Sequence, residues 1–146
     1  MSTAAHSTTV SGLVARALHG VFAGLAGGVV FGILMAMMDM LPMVAMLVGS
    51  QSAVVGALVH LVISAGIGAS FAVLFPMAAV GALVGAGAIY GAVWWVLGAL
   101  IIMPAWLGMP VFMFNNNTWF SLMGHVVFGM VAGTVLFGLR RRGGHA

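Results

Sequence analysis

Two histidines sit on ridges of small residues inside long apolar stretches. Ser121, His125, Gly129 and Gly133 form one ridge, and Gly56, His60, Ser64 and Gly68 form the other. Ala15, His19, Ala23 and Gly27 repeat the spacing a third time. Residues four apart share one helix face, so each imidazole lies on a stripe where the backbone of a second helix can come close. Such an imidazole can hydrogen-bond across a helix interface, worth about 0.6 to 2 kcal/mol in a membrane. It can also give an axial nitrogen to a planar metallated ring, haem or a chlorophyll-type pigment, for which the small neighbours leave room. His60 and His125 are the candidate cofactor ligands, because both enter their helices from the same side at similar depth, about 9 to 12 Å. His19 starts from the opposite side and is not expected to join them.

A second donor set lies between Met35 and Met46, where MAMMDMLPMVAM holds six methionines. Thioethers are soft ligands suited to Cu(I), which makes Met38, Met40 and Met43 candidate copper ligands, with His60 and His125 as nitrogen partners. The plainer reading is that methionine is a flexible filler of packing surfaces. A small-solute or proton pathway past His60, Ser64 and His125 is the remaining use of ionisable groups in a span. Enzyme chemistry has little to work with. Asp39 is the sole carboxylate and there is no cysteine, which leaves no acid pair, metal-binding carboxylate cluster, triad or thiolate nucleophile. No enzyme activity is expected.

The elements that hold these groups follow from composition. Only 3% of the 146 residues are charged and 64% are apolar, against roughly 25% charged in soluble domains. Four apolar stretches, about 13–38, 53–75, 79–103 and 119–139, are each long enough to cross a hydrocarbon core of about 30 Å. The ten-residue alternation of a membrane β-barrel is absent. The expectation is an all-α, polytopic membrane protein, a single membrane domain over residues 1–146 with four transmembrane helices. Arg16 just inside the first span and Arg140, Arg141 and Arg142 after the last put both termini in the cytoplasm by the positive-inside rule. The first fifteen residues lack the pattern of a cleaved signal peptide, so the first span is expected to be retained. The high isoelectric point reflects scarce acids, so nucleic acid is not an expected partner.

Gly20, Gly24, Gly28 and Gly32 on the first span, with Gly129 and Gly133 on the fourth, are candidate helix-packing positions, since small residues let backbones approach closely in lipid. The short connection Pro76–Ala78 predicts that spans two and three are antiparallel neighbours. The matching ridges of His60 and His125 predict two related hairpins, a parallel repeat. Thr118 or Asn117 is expected to cap the fourth helix. Met109, Phe112 and Met113 are expected at headgroup level. Met38-Asp39, His60, Met103-Pro104 and Gly124-His125, taken together, resemble a group of small, uncharacterised four-helix membrane proteins of bacteria and archaea. The resemblance implies the fold and a prokaryotic inner (cytoplasmic) membrane, and carries no activity. Because glycine stripes occur on all four spans, the leading functional expectation is an accessory or structural subunit. It would pack against other membrane helices, in a larger complex or a homo-oligomer.

Overall fold

The structure is a computed structural model that describes residues 3–143, with side-chain surroundings from residue 10 onward. Residues 1–2 and 144–146, which the single-domain expectation also covers, lie outside the described residues. The chain is 84% helix with no strand among the described residues, which confirms the all-helical class. The elements are α1 (Thr3–Met37), α2 (Leu41–Ala45), α3 (Ala53–Leu74), α4 (Val80–Trp94), α5 (Met103–Trp106) and α6 (Asn116–Gly143). A π-helical stretch, Trp95–Ile102, joins α4 to α5 without a break. Val10–Met37, Ala53–Leu74, Val80–Trp106 and Asn116–Gly143 are each long and apolar enough to cross a membrane. These four agree with the expected spans. Their outward faces carry large exposed apolar side chains, among them Phe22, Leu58, Val62 and Ile89.

The ends of the helices have local causes. Asp39 closes α1 in the left-handed region, at φ 54°, a conformation that Asp tolerates better than most residues. Its N–H donates to the Ala36 carbonyl and that of Met40 to the Met35 carbonyl, the paired bonds of a Schellman end. The only acid of the chain is thus a helix terminator. The connection after it is part of the bundle. Leu41, Val44 and Ala45 of α2 are buried, and the backbone of Leu41 lies so close to Gly56 of α3 that no Cβ would fit there. At the start of α6 the cap is Asn115, where Thr118 or Asn117 is expected from sequence. Asn115 Oδ1 accepts from the Thr118 N–H at 3.0 Å, and Thr118 Oγ1 accepts from the Asn115 N–H at 3.2 Å. This reciprocal pairing satisfies a free amide on each side of the helix start. The sequence run Asn115, Asn116, Asn117 offers three equivalent caps, and the reciprocal threonine selects the first.

The far end of α3 is closed by two arginines from other helices. Arg140 donates to the carbonyls of Ala72, Phe75 and Met77 at 2.7–2.9 Å, and Arg16 donates to that of Val73 at 2.7 Å. Pro76 cannot continue α3, so its last carbonyls have no helical donors, and the guanidinium groups supply them. Removing these bonds has a measurable cost. Arg140→Ala is expected to lower stability in detergent by about 1.5 to 3 kcal/mol, the scale of a hydrogen bond to a charged group. Arg141→Ala, at an exposed position, leaves thermal unfolding within about 0.5 kcal/mol of the parent. Equal losses in the two variants would show a general charge effect instead.

Two glycine seams organise the packing. On α1, a Cβ at Gly20 would meet the backbone of Gly68, and one at Gly24 would meet the backbones of Ser64 and Gly68. A Cβ at Gly28 would meet the Ser64 side chain, and one at Gly32 would lie 3.4 Å from His60. On the other side, Gly87 of α4 abuts Gly129, Gly91 abuts the His125 carbonyl, and Gly133 abuts the Leu83 carbonyl. The two seams share a register, in which Gly24 and Gly28 against α3 correspond to Gly87 and Gly91 against α6. The hairpins α1–α3 and α4–α6 therefore repeat, in the parallel sense that the histidine ridges suggest.

They dock asymmetrically. Helix α1 packs on α6, where Phe31 enters the space left by Gly124 and Phe128 lies over Gly27. The spatial order is thus α3, α1, α6, α4. Helices α3 and α4, consecutive and antiparallel, have no close backbone seam. They meet through side chains near their linker, where the Tyr90 and Ser70 hydroxyls share a hydrogen bond of 2.7 Å and the Tyr90 ring touches Phe71 and Phe75. A five-residue connection, 75–79, forces antiparallel direction but not contact along the full length. Away from the linker the two helices diverge.

Candidate functional site

The divergence of α3 and α4 leaves a cavity of about 420 Å³ at the end of the bundle opposite the arginines. Its walls are His60, Ile63, Ser64 and Ile67 of α3, Phe31 and Met35 of α1, Trp94 of α4, Gly98 and Ile102 of the π stretch, and Ser121, His125 and Phe128 of α6. The rim is formed by α2 and by the long connection before α6. Local chemistry holds that connection in place. Pro104 has no N–H to give the Leu100 carbonyl, and Phe112, at φ 55°, donates to it instead at 3.0 Å. Trp95 reaches from the π stretch to donate to the Thr118 carbonyl at 3.0 Å, and its ring lies beside those of Phe114 and Trp119. The widened π turn is a common feature of functional sites. In this chain it borders the cavity, and a Cβ on Gly98 would meet nothing within 4 Å.

Both candidate histidines line this cavity, one from each hairpin. His60 Nε2 donates to the Gly28 carbonyl at 2.9 Å, and His125 Nδ1 donates to the Ser121 carbonyl at 2.8 Å. A carbonyl only accepts, so these bonds fix the proton on each neutral ring. The lone pairs are then on His60 Nδ1 and His125 Nε2. Neither atom has a protein partner, and no fully buried side-chain nitrogen or oxygen lacks one among the described residues. Each lone pair thus belongs to a ring that lines the cavity and has no hydrogen-bond partner in the protein. Ser121 Oγ also lies 3.4 Å from His125 Nδ1, which helps to hold the ring.

Phe31 separates the two rings. It belongs to α1, the helix between α3 and α6, and is only 4% exposed. Its ring centroid lies 5.2 Å from that of His60 and 4.7 Å from that of His125, both edge to face. A haem or chlorophyll-type ring ligated on both faces by these histidines would need the space that Phe31 fills. The arrangement suits a small ligand beside the rings better than a macrocycle between them.

Of the methionines singled out from sequence, Met40 and Met43 line the cavity and Met38 does not. Met35, Met103, Met109 and Met113 complete the set. Met109 and Met113 are exposed residues that also line the cavity. A signal for them is visible in the sequence, since Met103-Pro104 and Met109-Pro110 repeat a dipeptide in one connection. His19 is elsewhere, at the arginine end near Gly143. No group of three or more His, Cys, Asp or Glu is placed to hold a metal ion among the described residues. The packing glycines Gly20, Gly24, Gly28, Gly32, Gly129 and Gly133 all lie at helix contacts inside the chain. Comparison with known protein families, curated proteins and solved structures found no match. The site must be read from its own geometry.

Proposed function

We propose that this is a multi-pass protein of the prokaryotic inner membrane that holds a small ligand in the cavity between α3 and α4, reached from the non-cytoplasmic side. The observation that carries the reading is the cavity itself, with two imidazole lone pairs directed into it from symmetry-related ridges. Pockets that bind ligands are typically concave and mostly apolar, with a few convergent polar groups, and this one has that composition. The bilayer setting is supported by the four apolar spans and their exposed apolar faces. The orientation is supported by the gathering of Arg16, Arg140, Arg141 and Arg142 at one end of the bundle, opposite the cavity mouth. Holding a ligand needs no carboxylate, in keeping with a chain whose single acid serves as a helix end.

The absence of cysteine from the chain makes the test clean. A single Ala99→Cys variant, at a partly exposed position of the cavity lining, is expected in right-side-out vesicles to react with a small, membrane-impermeant thiol reagent added outside. Adding Gly98→Leu, which fills open space in the cavity, is expected to slow that labelling by at least about tenfold without loss of folded protein. Failure of Ala99→Cys to label, while an Asn115→Cys control at the rim does label, would overturn the reading.

A second reading, an accessory subunit in a larger complex or homo-oligomer, is favoured by one observation. Gly66, Gly81, Gly85 and Gly138 face open space, so small-residue surface remains on the outside of the bundle. Larger membrane subunits that co-purify in mild detergent would shift weight to it.

A further inference from the structure

The donor set of the cavity narrows the ligand. Six of the methionines line it, Met35, Met40, Met43, Met103, Met109 and Met113, contributed by α1, the connections and α5. Three separate segments thus bring thioethers to one space that also holds two imidazole lone pairs. A filler role accounts for methionines that pack against neighbouring side chains; it does not explain why those from separate segments face one open volume. Every donor here is neutral. Asp39, the only carboxylate, is exposed beyond the end of α1 and is not part of the lining, and thiolates are absent. The cost of placing an ion in a low-dielectric site rises with the square of its charge, so uncharged ligands favour a monovalent ion over a divalent one. Thioether sulfur selects soft ions and imidazole is compatible with them.

We propose that the cavity binds Cu(I), held by the methionine thioethers together with His60 Nδ1 or His125 Nε2. The proposal rests on the cavity reading and names its ligand. Binding involves no change of oxidation state, so the metal arrives already reduced. Met40 and Met43 stand at the rim from α2 and its approach, and Met109 and Met113 from the opposite connection. An ion entering from outside meets thioethers before it meets the imidazoles.

The test uses the full chain in detergent under anaerobic conditions, titrated with Cu(I) against a chromogenic Cu(I) chelator. One equivalent is expected to bind, with sulfur and nitrogen neighbours in X-ray absorption. Met40→Leu combined with Met103→Leu keeps side-chain volume, and hence the fold, and is expected to weaken binding by at least about tenfold, the lower bound for losing even an outer-sphere partner of a metal. Met37→Leu, at an 80% exposed position outside the cavity, is expected to leave affinity unchanged, and equimolar Zn(II) is expected not to compete. His125→Ala is expected to remove the nitrogen neighbour or weaken binding to a similar degree. Absence of stoichiometric binding would overturn the proposal, as would equal affinity in the Met40/Met103 variant. If Ala99→Cys still labels from outside while Cu(I) fails to bind, the metal assignment falls and the cavity reading stands. If Ala99→Cys is inaccessible, the cavity reading falls first.

Discussion

Gly129→Val is expected to abolish recovery of folded protein, judged by a monodisperse peak in detergent chromatography. The residue sits where α6 touches α4, and any Cβ on it would run into the carbonyl group of Gly87. The obstacle is backbone on a second helix, so no rotamer change can relieve it. Both helices would have to part along the whole seam, which also includes Gly91 against His125 and Gly133 against Leu83. Overpacking a core costs typically 1 to 3 kcal/mol when side chains can move, so a rigid seam should cost at least about 3 kcal/mol. In lipid, helix association rests on such close van der Waals contact, because the surrounding tails are as apolar as the helices. Gly85→Val, on the same helix but facing open space, supplies the control and should be recovered at parental yield. Equal recovery of the two variants would show that the α4–α6 seam does not carry the fold.

Phe31→Ala is expected to be the most damaging substitution at the cavity, lowering stability by about 3 to 5 kcal/mol, the usual cost of deleting a buried aromatic ring. Phe31 touches both histidine rings and also fills the gap at Gly124. Its loss opens a void between α1 and α6 and frees both imidazoles from their edge-to-face contacts. Thermal unfolding in detergent reads the stability. The packing between Phe31 and Gly124 can be tested separately with a double-mutant cycle. Gly124→Ala alone forces its methyl group against the Phe31 ring, whereas Gly124→Ala with Phe31→Leu has room for it. The pair is expected to be less destabilised than the sum of the singles, by about 0.5 to 3 kcal/mol. Additive losses would show that the two positions do not share a contact.

How much of this was legible beforehand is best judged element by element. The spans were legible because twenty-odd uncharged apolar residues in a helix have one economical solution in a bilayer. The roles of Gly24, Gly28, Gly129 and Gly133 were legible too, since a four-residue spacing of small residues implies a backbone contact. The partner of each ridge was not. Periodicity shows that a face packs, and it carries no information on which helix meets it. Spans two and three illustrate this, because their short linker sets direction but does not hold α3 against α4 beyond Tyr90. The cap at Asn115 was hidden among three asparagines until Thr118 picked one. The π stretch after Trp94 was hidden because its residues are as apolar as the α-helix around it.

Composition and spacing specify four apolar helices, their repeat as two hairpins, and the place of His60 and His125 on small-residue ridges within them. These properties depend on composition and on spacing along one chain segment, which are local quantities. Only the tertiary structure decided that α1 docks on α6 while α3 and α4 diverge, that Phe31 stands between the two imidazoles, and that methionines from three segments face the same space. Those outcomes depend on how rigid surfaces fit across the bundle. A single bulky residue opposite a single glycine, Phe31 opposite Gly124, breaks the symmetry between two otherwise similar hairpins and leaves the cavity on one side.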